Sequence, residues 1–163
     1  MDEMLSITIE AGVGLAGFAG IVVVLSGDPR TWSQTEKLRI GTMLFLTLFA
    51  VFGALTCLFL SRHFDETSAS RLASGFMSII FFSANAIIWK KSREPLKSRD
   101  PTIKSSLAYI LLTFFLLDAL LLALNAVGLF EDSFAAFFMA LICLLLFAAF
   151  LFVRILFVRP GLH

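Results

Sequence analysis

The chain has 163 residues, 59% of them hydrophobic and 15% charged, against roughly 45–50% apolar and 25% charged in an ordinary soluble domain. With 19 Phe and a mean hydropathy of +0.94, the apolar residues exceed what a soluble core of this size can hold, which excludes a soluble enzyme, a disulfide-built secreted domain and a disordered linker. Thirteen basic against twelve acidic side chains leave a net charge of +1, too little to hold nucleic acid.

A helix needs about 20 mostly apolar residues to cross a bilayer. Five stretches qualify, at approximately 5–26, 38–60, 72–89, 106–130 and 134–153. The segments between them are too short to fold alone, so the expected architecture is all-α: one transmembrane domain over residues 1–163, a bundle of five helices. Asp2 and Glu3 precede the first span, where a cleavable signal peptide begins basic, so this helix is expected to stay in the mature protein.

The first span carries Gly12, Gly14 and Gly17, a G-x-G-x-x-G string. The dinucleotide fingerprint it resembles by letter needs a preceding strand and a solvated turn, and a continuous apolar helix supplies neither. Small residues instead let helix backbones approach in lipid. At 100° per residue, Gly12, Ala16 and Gly20 share one face, and Glu10, Gly14 and Gly17 another. Leu15, Phe18 and Val22 form a bulky arc for lipid, so the helix is expected to be enclosed by protein on most sides. Glu10 lies about one and a half turns inside and must face protein or water. It is either paired with Arg62 or Arg71, or part of an ion or proton path.

Before the second span, Ser33-Gln34-Thr35-Glu36 reads as a capping box. The third span bears a polar stripe of Ser70, Ser74, Ser78 and Asn85, which predicts a helix seam in preference to a hydrated path. Ahead of the fourth span, Asp100-Pro101 offers an N-cap and a first-turn proline. Within it, Asp118 sits among Leu116, Leu117, Leu120 and Leu121 with no Lys or Arg at comparable depth. A carboxyl group there either keeps its proton and joins helices, or lines a wet cavity with Asn125 leading outward. Gly128 followed by Glu131-Asp132-Ser133 predicts a tight hairpin into the fifth span. Cys57 and Cys143 fall inside apolar runs and read as apolar fillers.

Eleven of the thirteen Lys and Arg fall on one side of these spans. Arg30, Lys37 and Arg39 lie in the first connection, six more between Lys90 and Lys104, and Arg154 and Arg159 in the tail; only Arg62 and Arg71 lie opposite. Basic residues mark the cytoplasmic side, so the amino terminus is expected outside and the carboxyl terminus in the cytoplasm. The Lys90–Lys104 run can attract anionic membrane lipid, although any inner loop would show such charge. The only histidines, His63 and His163, lie outside the spans, so no metal site, cofactor or catalytic constellation is expected.

The string from Glu10 to Ile21, E-A-G-V-G-L-A-G-F-A-G-I, followed by Trp32-Ser33 and Glu36-Lys37-Leu38-Arg39, resembles a group of uncharacterised small bacterial polytopic membrane proteins with a Gly-rich first transmembrane helix. The likeness covers about the first quarter of the chain and implies a multi-pass protein of the bacterial inner membrane. The residues themselves lead to an oligomeric channel or conduit for a small ion, protons included. Glu10, Asp118, Asn125 and Asn85 are its path groups; Gly12, Gly14, Ala16, Gly17 and Gly20 are its packing positions. The alternative is a non-transporting accessory or scaffold subunit whose carboxylates only join helices. On either reading the partners are membrane lipid and a second copy or another membrane subunit.

Overall fold

The structure is a computed structural model that describes residues 1–25, 34–97 and 105–157. They form five helices: α1 Asp2–Leu25, α2 Gln34–Ser61, α3 Glu66–Lys97, α4 Ser105–Ala126 and α5 Ser133–Phe157. No strand occurs among the described residues. Three segments are long and apolar enough to cross a membrane, Asp2–Ile21, Ile40–Ser61 and Ser133–Arg154, and Thr113–Ala126 is a shorter apolar helix. The capping box at Ser33, the Asp100-Pro101 start and the side chains from Lys90 to Lys104 lie outside the described residues.

Helix ends follow local chemistry more closely than hydropathy. α3 starts at Glu66, six residues before its apolar stretch. Asp65 is the reason: its Oδ2 accepts the Ser68 N–H at 3.0 Å and its carbonyl the Ala69 N–H at 2.9 Å, satisfying donors that a helix start leaves open. Asp132 starts α5 in the same way, with Oδ1 accepting from Ala135 N at 2.9 Å. α4 ends at Ala126, four residues short of the expected Phe130. Gly128 adopts φ 82°, the Leu129 N–H bonds the Leu124 carbonyl at 3.2 Å and the Gly128 N–H that of Asn125 at 3.0 Å. This is a Schellman stop, and a left-handed glycine sets it whatever the hydropathy of the residues beyond.

The amide bonds at Asp65 hold its carboxyl below the usual carboxylate range, the Ser68 N–H contributing most. A depressed folded value means that the cap's contribution is complete above the ordinary carboxylate range and is lost as pH falls below it. Acidification is therefore expected to fray the first turn of α3. Amide hydrogen exchange at Ser68 and Ala69, referenced to Asp65→Asn, checks this: the wild type should gain exchange in acid beyond the neutral cap, and equal profiles would refute it.

The packing divides into two compact units, Met1–Leu58 with Leu141–His163, and Phe59–Ala140. In the first, α1 buries Leu5, Thr8, Gly12 and Ala19, with Leu15 half-buried, a 3-4-3-4 spacing that keeps one narrow seam on one side of a helix. The backbone comes closest at Gly12. A Cβ there would stand 2.5 Å from Val51 Cγ2, 3.4 Å from the Thr47 carbonyl oxygen and 3.6 Å from Leu145. Ile9 and Ala16 are half-buried and the other residues of α1 up to Ile21 are exposed, which corrects the expectation of a helix enclosed on most sides. A seam of one residue per turn leaves the other arc uncovered, and Glu10, Gly14, Gly17, Phe18 and Gly20 all lie in it.

In the second unit α3 packs antiparallel against α4. A Cβ at Gly75 would lie 3.5 Å from that of Ala126, and further along α3 the Phe81 ring meets the Phe115 ring edge-on at 5.5 Å. Small residues meet at one level of the pair and an aromatic pair at the other.

Candidate functional site

Polar side chains concentrate in the seam between α3 and α4. Ser70, Ser74, Ser78, Asp118, Asn125 and Ser133 are all buried. Two of the hydroxyls are spent locally: Ser70 donates to the Thr67 carbonyl and Ser78 to that of Gly75, both at 2.9 Å. Such back-bonding satisfies a hydroxyl without a second helix. Thr8 and Thr47 do the same on α1 and α2.

Ser74 behaves differently. The Asn125 side-chain amide donates to Ser74 Oγ at 2.8 Å and to the Ser133 carbonyl at 2.9 Å, so one fully buried group joins α3, α4 and the first residue of α5. Both of its amide hydrogens are placed, while Oδ1 is buried without a partner among the described residues. Ser133 is bonded a second time, its hydroxyl accepting from Arg71 Nε at 3.0 Å. The guanidinium lies on Gly128: a Cβ there would be 3.0 Å from Arg71 Cζ and 3.2 Å from each terminal nitrogen. A cation at the carboxyl end of α4 also meets the negative pole of that helix.

Asp118 lies seven residues before Asn125, on the same face and about 10 Å along the helix. The Gly75–Ala126 and Phe81–Phe115 contacts place it level with the α3 turn from Ser78 to Phe81. It is 4% exposed, and its Oδ2 has no hydrogen-bond partner among the described residues. An orphaned buried oxygen is costly, by about 1–3 kcal/mol for a neutral group and more for a charged one.

Of the path groups read from sequence, Asp118 and Asn125 share one face of α4 in the second unit. Glu10 belongs to the first unit and is exposed. The Asn85 side chain lies outside the described residues. Arg71, offered from sequence as an ion-pair partner for Glu10, is engaged with Ser133 and Gly128. Of the packing positions, Gly12 meets α2 and α5, Ala16 is half-buried, and Gly14, Gly17 and Gly20 have open space around them. Cys57 and Cys143 are both thiols. Sequence reasoning missed Arg71 and Ser133 as members of the seam. The available signal was Arg71's place beside the serine stripe, one turn from Ser74.

With only helices among the described residues, three of them of membrane-crossing length and composition, the chain is an integral membrane protein of the helical class. No family model, curated protein or solved structure matches it.

Proposed function

We propose that the chain is a multi-pass protein of a bacterial inner membrane, amino terminus outside, that conducts a small ion, protons foremost, through an assembly of several copies. All five helices cross the membrane on this reading. The observation that carries it is Asp118, a carboxyl group buried in an apolar helix whose Oδ2 has no partner. Intramembrane ionisable residues mark ion and proton pathways by default, and this one lies on one α4 face with the second orphaned oxygen, that of Asn125. Glu10 supports assembly in place of a path through one chain. An ionised carboxylate exposed to hydrocarbon is costly, by about 2.5–3.5 kcal/mol at a helix centre and less toward its ends, and a second copy laid against the open Gly14 and Gly17 face would cover it.

The test is proton flux into liposomes containing the purified protein, with carbodiimide labelling of Asp118 followed by peptide mass analysis. Wild-type protein should collapse an imposed pH gradient, and Asp118→Asn should slow this at least tenfold. Carbodiimide should block flux in proportion to modification at Asp118. The Asn125 bonds to Ser74 and Ser133 favour a second reading, an accessory subunit whose polar groups only join helices. Flux no greater than in empty liposomes for proton, sodium, potassium and chloride would leave that second reading and end the first.

A further inference from the structure

Three features lie in order along the α3–α4 seam, starting from the α4–α5 turn. First comes the Arg71 guanidinium, held by Ser133 Oγ and lying on Gly128. Next is Asn125, with both amide hydrogens donated and Oδ1 orphaned, and about 10 Å deeper is Asp118 with Oδ2 orphaned. Asn125 Oδ1 is an acceptor, and so is Asp118 Oδ2 when the carboxyl is ionised. What completes them must donate a hydrogen bond or carry positive charge: water, a proton held on water, or a metal cation.

The two ends of the seam discriminate between these. A metal cation sheds its hydration shell only where several oxygens replace it. Around Asp118, Phe115, Ala119 and Leu122 on its own helix supply none, and the α3 turn level with it offers the Ser78 hydroxyl beside Phe81. At the turn end a cation would first have to pass a fixed positive charge. Arg71 is held there by its Nε bond to Ser133 Oγ, with its guanidinium in the space that a Cβ at residue 128 would take. Water carries no net charge and passes; a proton moves by exchange along hydrogen-bonded groups and needs no coordination shell.

We propose that Arg71 is the specificity-determining residue of the seam, turning metal cations away from Asp118 while admitting water and protons. This rests on Asp118 being the exchange group. The test uses charge-selective chemistry in place of flux, so its failure is distinct from a failure of conduction. Full-length protein in liposomes carries Cys57→Ala, Cys143→Ala and Ser78→Cys. Two methanethiosulfonate reagents of similar size, one a quaternary ammonium and one a sulfonate, are added on the side of the α4–α5 turn.

With Arg71 in place the sulfonate should modify position 78 at least about tenfold faster than the ammonium reagent, the scale expected of a unit charge at a poorly solvated entrance. Arg71→Gln should abolish that preference by raising the ammonium rate, and Arg71→Lys should keep it. Ser133→Ala, which frees the guanidinium without changing its charge, should speed both reagents alike. A charge preference unchanged in Arg71→Gln, an ammonium rate equal to the sulfonate rate beside Arg71, or no modification in any background would each overturn the proposal.

Discussion

Replacing Gly12 by Leu is expected to unfold the first unit, whereas Gly17→Leu and Gly20→Leu leave the single chain intact. At Gly12 even a methyl group would overlap Val51 Cγ2, and the next nearest atom is a backbone oxygen. Val51 is β-branched and stiff about χ1, so neither neighbour can retreat cheaply. Gly12→Ala should cost about 1–3 kcal/mol and Gly12→Leu about 3 kcal/mol or more, the range for overpacked cores. Gly17 and Gly20 have open space, so their variants should unfold like the wild type in detergent and change only the distribution of oligomers. Denaturant titration of the monomer with native mass spectrometry separates the two effects. A Gly12→Leu protein as stable as wild type would refute the α1 seam, and unchanged oligomers for both other variants would remove the open face from the assembly.

Asn125 yields the second large effect, and the smaller chemical change should do the greater damage. Asn125→Leu loses two hydrogen bonds but also removes the orphaned Oδ1, so the cost should be about 1–2 kcal/mol, near the upper end measured for polar contacts between membrane helices. Asn125→Asp keeps the shape and places a carboxyl oxygen where the amide nitrogen stood, 2.9 Å from the Ser133 carbonyl oxygen and 2.8 Å from Ser74 Oγ. Two acceptors then face each other in a buried site, which should cost about 3–5 kcal/mol, as for an uncompensated buried charge. Unfolding free energies measured side by side decide the order. If Asp is tolerated better than Leu, the amide is not donating as described.

Helix count was legible because hydropathy is a property of composition over some twenty residues, and each of the five apolar stretches became a helix. The end of α4 was not, because one left-handed glycine and two backbone bonds stop it while Leu129 and Phe130 continue the apolar pattern. Glycine positions were legible as a group only. Whether Gly12 or Gly14 meets a neighbour depends on the rotation of α1 about its axis, which the 3-4-3-4 series of Leu5, Thr8, Gly12, Leu15 and Ala19 encodes. A single small-residue motif does not reveal it. Asp118 stood out because its setting is local, four leucines within three residues. Its companions did not, since pairing Asn125 with Ser74, or Arg71 with Ser133, requires the relative register of helices that only tertiary packing sets.

The double use of Ser133 also orders events during synthesis. α3 and α4 can meet through Gly75, Ala126, Phe81 and Phe115 as soon as both have formed, since those contacts need no third helix. Arg71 and Asn125 find their remaining partners only when residue 133 has emerged behind them. Until then a guanidinium and an amide at the end of the pair must be solvated from outside the protein. Arrival of the fifth helix replaces those bonds and closes the turn.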